Sequence, residues 1–301
     1  MGSDPVSSLI PRAQFSVPLP GNRTLELGPR TLVMGILNVT PDSFADGGLY
    51  LDPGAAQAAA VEMEASGADL IDVGGESTRP GADTVSADEE IARIQPVINR
   101  LTKAIRIPIS IDTSKAAVAE VALSEGVALV NDVTGLRYDA ALAGIAARAG
   151  AGLVLMHARG RSRDMYREAN YASVATEVKD ELRGSLERAL AAGVALESVI
   201  LDPGLGFAKR PEHSFEALAA LPTFAELGRP LLAGPSRKSF LTAAIGERPP
   251  QARDMATAAS VAAAVLLGAH IVRVHNVRDM VDVVRVADAV RGAVSFAGQK
   301  C

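Results

Sequence analysis

Short apolar runs alternate with Ala-rich amphipathic runs eight times along this chain, and that rhythm restricts the fold more than any other feature. The apolar runs are Thr31–Leu37, Asp69–Val73, Pro108–Ile111, Ala128–Val130, Leu153–Met156, Val199–Leu201, Pro230–Ala233 and Ile271–Val274. Their length and aliphatic content suit parallel strands buried on both faces. Between them the spacing predicts helices over Ala55–Ser66, Ala87–Lys103, Ser114–Ser124, Ala140–Ala149, Ser173–Ala192 and Ala256–Leu267. Gly67, Gly126, Gly150, Gly193 and Gly268 follow several of these, at the position glycine favours after a helix.

Eight such units predict a (β/α)8 TIM barrel of the α/β class. A doubly wound sheet is the alternative, but no Gly-x-Gly-x-x-Gly fingerprint opens a helix after the first strand. The polar residues favour the barrel. Asn38, Gly74-Gly75-Glu76, Asp112, Asn131-Asp132, His157, Asp202, Ser236 with Lys238, and His275 each follow a strand. In a barrel those positions converge on one mouth; along an open sheet they do not. Residues 1–28 read as a peripheral N-terminal extension with an edge hairpin around Phe15–Leu27, and 29–301 as one barrel domain.

The formal net charge of −5 and pI near 5.5 argue against a general nucleic-acid or anionic-membrane surface. No run approaches the ~20 apolar residues of a membrane helix. The single cysteine, Cys301, excludes an internal disulfide and fits a reducing cytoplasm. An anionic ligand must therefore meet a local cationic cluster, and Arg79, Lys238, Arg273 and His275 supply one at strand ends. Arg273 and His275, two apart on one strand, share a side.

Two loops are rich in turn formers and donors. The first is Gly35-Ile-Leu-Asn-Val-Thr-Pro-Asp-Ser-Phe-Ala-Asp-Gly-Gly48, in which Asn38 and Asp42 equally suit a turn. The second, Asp72-Val-Gly-Gly-Glu-Ser-Thr-Arg-Pro-Gly81, offers glycines for close backbone approach and Ser, Thr and Arg donors for phosphate or carboxylate. Asp112 and Asp202 are expensive in a barrel mouth unless donors meet them, whether from a ligand, an internal ion pair or a helix cap. Ser236 reads as the N-cap of a helix with Lys238 one turn inside. His157 reads as structural, and His213 and His270 as surface or helix-end residues.

Read together, these segments resemble dihydropteroate synthase, from about Thr31 to Val290. The two loop motifs look like that family's first two signatures. Ser110-Ile-Asp-Thr113, Asn131-Asp-Val-Thr-Gly135, Leu155-Met-His157, Leu201-Asp-Pro-Gly-Leu-Gly-Phe207, Ser236-Arg-Lys-Ser239 and Arg273-Val-His275 follow in the family's order. The resemblance implies condensation of p-aminobenzoate with a dihydropterin diphosphate, with diphosphate leaving first. It implies that Asp112, Asn131, Met156, Asp202, Phe207 and Lys238 hold the pterin. It assigns the diphosphate to Asn38, Thr78, Arg79, Arg273 and His275, with Asn38 also beside Mg2+. It forms the p-aminobenzoate pocket from Phe44, Thr78, Arg79, Pro80, Phe207, Ser236 and Ser239. Asp46 would face the cationic pterin, and Asp46, Arg79, Lys238, Arg273 and His275 would be the catalytic set. Sulfonamides are the implied inhibitors, and a homodimer through the last helices the implied assembly, for which Val281–Val290 is sufficiently apolar. The run Ser43-Phe-Ala-Asp-Gly-Gly48 lacks the insertion carried by sulfonamide-insensitive relatives. The rival functions are a methyltetrahydrofolate-binding methyltransferase domain on the same barrel and a non-catalytic pterin-binding barrel. The arginine-rich segment Ala158–Tyr166 has no role in this reading.

Overall fold

The computed structural model describes residues 11–40, 52–77, 83–160 and 165–297, with side chains to residue 293. It opens on an antiparallel hairpin, β1 (Phe15–Leu19) and β2 (Arg23–Leu27), with Phe15 opposite Leu27 and Leu19 opposite Arg23. The connection turns through Gly21 and Asn22, both at positive φ (75° and 57°), which these two residue types tolerate best. Alternation puts Val17, Leu19, Leu25 and Leu27 on one buried face.

That face packs on Leu32, Met34, Leu70, Leu129, Val154, Ile200, Leu232 and Ile271, inward residues from the N-terminal halves of the barrel strands. The hairpin thus closes the barrel floor, and the expectation of a peripheral arm is corrected for this segment. Arg12 ties the segment down further, donating from Nη2 to Asp288 at 2.9 Å.

The eight-stranded sheet comprises β3 (Leu32–Asn38), β4 (Leu70–Gly74), β5 (Ile109–Asp112), β6 (Leu129–Asp132), β7 (Gly152–Met156), β8 (Val199–Asp202), β9 (Leu232–Ala233) and β10 (Ile271–Val274). All pairings are parallel, in the order β8-β7-β6-β5-β4-β3-β10-β9. A parallel bridge between Leu201 and Leu231 joins the two ends, and Leu201 N–H donates to Pro230 O at 2.9 Å. The barrel is closed. Strand β9 is shorter than the predicted Pro230–Ala233, because Pro230 has no N–H for the ladder.

The outer layer is α1 (Pro53–Ala65), α2 (Ala87–Ala104), α3 (Ala116–Ser124), α4 (Ala141–Ala149), α5 (Val174–Ala191), α6 (Pro211–Ala219), α7 (Leu221–Ala225), α8 (Thr242–Ile245), α9 (Asp254–Leu266) and α10 (Val277–Ala297). Local chemistry starts them: the Ser86 and Ser173 side chains cap α2 and α5, and Pro211 opens α6. The outward strand residues Val33, Ile71, Ile111, Val130, Leu153 and Val272 join these helices in the main core.

Of the two histidines expected at the surface or at helix ends, His213 lies in the first turn of α6 and His270 departs from that reading. His270 is buried (3% exposed); its Nδ1 accepts from Leu231 N–H at 3.1 Å and its Nε2 donates to Ala13 O at 3.0 Å. It therefore fastens the N-terminal segment to the short β9. His213 is half-buried in α6, its ring edge-on to Tyr171 at 5.1 Å.

Candidate active site in the barrel mouth

The site follows from strand parity. If Leu70 points into the barrel floor, Asp72 and Gly74 point inward above it; the same rule sends Ser110 and Asp112, Asn131, Met156, Asp202, Asn38 and Arg273 inward. The register then fixes neighbours: Asn38 lies beside Gly74, Gly74 beside Asp112, Asp112 beside Asn131, and Met156 beside Asp202. Because Gly74 has no Cβ, the space between Asn38 and Asp112 stays open. A Cβ there would lie 3.7 Å from Asn38 Oδ1.

Asp72 is the hub. Fully buried, it accepts at Oδ2 from Asn131 Nδ2 (2.9 Å) and from Arg273 Nε (2.6 Å), while Arg273 Nη2 donates to Asp112 Oδ2 at 2.9 Å. The sequence reading gave Asp72 no role. The signal was available: a carboxylate inside an aliphatic strand needs a buried partner.

Asp112 thus realises the internal-ion-pair alternative at one oxygen only. Its Oδ1 is buried with no partner among the described residues. Burial, opposed by Arg273, pushes this carboxyl up to about 7, so near neutrality it can accept or donate. An unsatisfied buried acceptor usually marks a ligand or water position.

The opposite wall carries Asp202, Lys238 and Phe207. Asp202 Oδ1 accepts from Gly204 N–H at 2.7 Å, and burial raises its pKa. Lys238 Nζ donates to Leu205 O at 2.5 Å and sits 4.5 Å from the Phe207 ring centroid. Burial lowers the Lys238 pKa to about 8 against the pull of Asp202. Met156 is buried against Gly204, so it borders the Asp202 wall.

Ser236 corrects an expectation. It caps no helix: Arg237 takes a left-handed φ of 57°, only a 3₁₀ turn at Ser239–Leu241 and the four-residue α8 follow, and the next full helix is α9. The Ser236 hydroxyl instead meets His275 Nδ1 at 2.9 Å and accepts His275 N–H at 3.1 Å. Arg237 is held by Asp254 at 2.6 and 2.8 Å. Ser239 is exposed beside a cavity of about 380 Å³ lined also by Tyr166, Arg210 and Thr242.

The structure therefore gathers Asn38, Asp112, Asn131, Met156, Asp202, Phe207, Ser236, Lys238, Arg273 and His275 at one end of the barrel. Phe44, Asp46, Thr78, Arg79 and Pro80 lie outside the described residues. The base of the second loop is described: Glu76 accepts from Lys115 Nζ at 2.6 Å and from Val85 N–H at 3.3 Å, and Lys115 also reaches the buried Glu90 at 2.5 Å. Sequence reasoning missed this trio, in which Glu76 and Glu90 belong to the β4–α2 unit and Lys115 to the next, just before α3.

Comparison with known proteins agrees with this geometry. Residues 34–275 match the family described as pterin binding enzyme. A dihydropteroate synthase from Synechocystis is 44% identical over 276 residues, covering 91% of this chain and 96% of the relative. A crystal structure of the Yersinia pestis dihydropteroate synthase with a sulfonamide drug complex superposes with a TM-score of 0.86, at 39% identity over 92% of this chain and all of that one. The Xanthomonas albilineans dihydropteroate synthase with 4-aminobenzoic acid gives a TM-score of 0.84, at 39% identity over 91% of this chain and 98% of that one. The polar mouth of the barrel and these relatives agree: the chain belongs to the pterin-binding enzyme family, among the dihydropteroate synthases, transferases of folate biosynthesis.

Proposed function

We propose that this chain joins p-aminobenzoate to 6-hydroxymethyl-7,8-dihydropterin diphosphate, giving 7,8-dihydropteroate and diphosphate. The observation that carries the reading is the pairing of acceptors and a donor across the mouth. Asp112 Oδ1 is buried with no partner among the described residues, and Asp202 and Lys238 face it from the other wall. A pterin ring has N–H donors along its amino edge and a carbonyl beside them. In this reading Asp202 takes the 2-amino and N3 hydrogens, Lys238 donates to the carbonyl, and Asp112 and Asn131 meet the far edge, with Met156 and Phe207 against the ring. The sulfonamide and 4-aminobenzoic acid named for the two relatives support p-aminobenzoate as the second substrate here, and sulfonamides as its inhibitors.

Chemistry then requires leaving-group stabilisation and little else, because an aniline nitrogen is already a nucleophile. Dihydropterin supports positive charge at its exocyclic methylene, so diphosphate departs before the amine attacks. Arg273 and His275 would hold the departing anion with Asn38, Thr78 and Arg79. Asp46 would face the cation, and Phe44, Thr78, Arg79, Pro80, Phe207, Ser236 and Ser239 would enclose the amine.

The described residues contain no group of three His, Cys, Asp or Glu able to hold a metal by themselves. Mg2+ keeps several waters and is bound largely through substrate phosphates, so its protein contribution here would be small. The Asn38 amide oxygen, beside the open space at Gly74, is the protein oxygen proposed. When bound, the ion would neutralise developing charge on diphosphate. A homodimer is proposed through α10, where Val286 (66%) and Val290 (47%) are exposed one turn apart. The cytoplasm is the proposed compartment.

The test is diphosphate release from the pterin diphosphate, followed with and without p-aminobenzoate. Release that requires p-aminobenzoate and yields dihydropteroate is expected. Binding of pterin without turnover would support a non-catalytic barrel instead.

A further inference from the structure

Lys209 is among the largest fully buried side chains (1% exposed), and the proposed chemistry does not use it. Burial lowers the Lys209 pKa well below its ordinary value, and such an amine persists only where each N–H finds an acceptor. Here each does: Nζ lies 2.8 Å from His157 Nδ1, 3.1 Å from Gly204 O and 3.2 Å from Phe207 O. His157 is itself buried, and burial together with the Lys209 charge pushes its pKa down to about 3. The ring is therefore neutral near pH 7. Nδ1 accepts from Lys209, and Nε2 donates to Glu181 Oε2 at 3.1 Å. Glu181 is fixed in turn by Arg159 Nε (2.9 Å) and Arg137 (2.5 Å).

The chain of contacts ends on the segment Asp202–Phe207. Gly204, Gly206 and Ala208 all have positive φ (68°, 78° and 48°), so the backbone curls and its carbonyls turn to different sides. Gly204 O and Phe207 O go to Lys209, and Ala208 O accepts from Tyr171 Oη at 2.9 Å. Leu205 O goes instead to Lys238. His157 N–H donates to Asp202 O at 2.8 Å, and a Cβ on Gly204 would lie 1.9 Å from His157 O. The segment is thus clamped between two lysines, one in the site and one behind it.

We propose that Lys209, His157 and Glu181 form a positioning chain that holds Asp202 and Phe207 in register with the pterin, a role distinct from contact with substrate. The proposal rests on the reading that Asp202 and Phe207 meet the pterin.

Three variants test it: Lys209→Met, His157→Leu and His157→Gln, the last keeping an acceptor and a donor. Each is measured by calorimetry with 6-hydroxymethyl-dihydropterin and, separately, with inorganic diphosphate plus Mg2+. Lys209→Met and His157→Leu should lose roughly tenfold in pterin affinity, with diphosphate affinity within about twofold of the parent. His157→Gln should stay within about threefold for both, and the two damaging changes combined should lose little more than either alone, because they break one chain.

Equal losses for pterin and diphosphate would mean general damage and overturn the proposal, as would unchanged pterin affinity in a folded variant. If Lys209→Met does not fold, the two His157 variants make the same comparison. Asp202→Asn, run in parallel, separates the readings. Unchanged pterin affinity there removes the site assignment and this proposal with it. A loss there, without one in the Lys209 and His157 variants, removes only the positioning chain.

Discussion

Arg273 and Asp72 meet at 2.6 Å inside the barrel although 201 residues separate them in sequence. Only β3 stands between their strands. The same guanidinium reaches Asp112, so one cation organises two of the carboxylates beneath the proposed pterin position.

This relationship gives the first prediction. Asp72→Ala removes the shared acceptor, leaving the Asn131 amide and the Nε edge of Arg273 buried without it. Breaking a buried pair from one side costs about 3–5 kcal/mol. Because Asp112 still holds Nη2, the loss should fall near the lower end, and chemical denaturation will measure it. A change below about 1 kcal/mol would show that Asp72 does not anchor this network.

Asp202→Asn keeps the shape but places an amide where the reading needs an acceptor only. A mismatched buried polar contact costs about 1–3 kcal/mol, so pterin affinity should fall roughly ten- to a hundredfold. The Gly204 N–H bond to Oδ1 can survive on the amide oxygen, so the loop should hold and the loss should be specific to ligand. Calorimetry with the bare hydroxymethyl pterin decides it.

Lys238 predicts opposite effects on stability and binding. Burial lowers its pKa to about 8 from the usual lysine value of 10.5. Between those values the unfolded chain binds more protons than the folded one, so this group's contribution to stability rises with pH across that window. Below about pH 8 the full penalty for burying the ammonium is present. Lys238→Met should therefore stabilise the protein at pH 7, by on the order of 2 kcal/mol, and the gain should fade toward pH 10.5. The same variant should lose pterin affinity at pH 7. In the parent, pterin affinity should weaken as pH rises through about 8. Thermal melts of variant and parent at pH 7 and pH 10 test the first statement; a gain over the parent no larger at pH 7 than at pH 10 would contradict it.

Most of this site was legible because strand parity and strand ends are properties of sequence. Asp112, Asn131, Asp202 and Arg273 lie at the ends of aliphatic runs, and a barrel has one place to send them. Asp72 escaped because it was read as the opening of a glycine loop and not as the inward position of β4. Lys209 escaped for a different reason. Its burial depends on the positive-φ curl of Gly204 to Ala208, and no local pattern says which carbonyls will face a given lysine. The hairpin was read at Phe15–Leu27, where it lies, but its burial and that of His270 escaped because both come from long-range contacts, with the barrel floor and with the segment around Ala13. Ser236 was read as a cap because a serine before a polar turn normally is one, and the left-handed Arg237 breaks that pattern.

Ser236 supplies the last prediction, through His275. The hydroxyl accepts the His275 backbone N–H at 3.1 Å and lies 2.9 Å from Nδ1; where it donates its own proton to the ring, Nδ1 is the acceptor. That arrangement leaves the proton of a neutral imidazole on Nε2, the nitrogen then able to donate to a phosphate oxygen. Ser236→Ala would free the ring to rotate or change tautomer without removing any cation. Loss of one such hydrogen bond costs about 1 kcal/mol, so affinity for the pterin diphosphate should fall roughly fivefold. Affinity for hydroxymethyl pterin, which has no phosphate, should stay within about twofold. His275→Ala should reproduce the same selectivity with a larger loss, and adding Ser236→Ala to it should change little, since the hydroxyl would have no ring left to orient. Equal losses for both ligands in Ser236→Ala would show that the hydroxyl supports the site as a whole and does not set the His275 ring for the diphosphate.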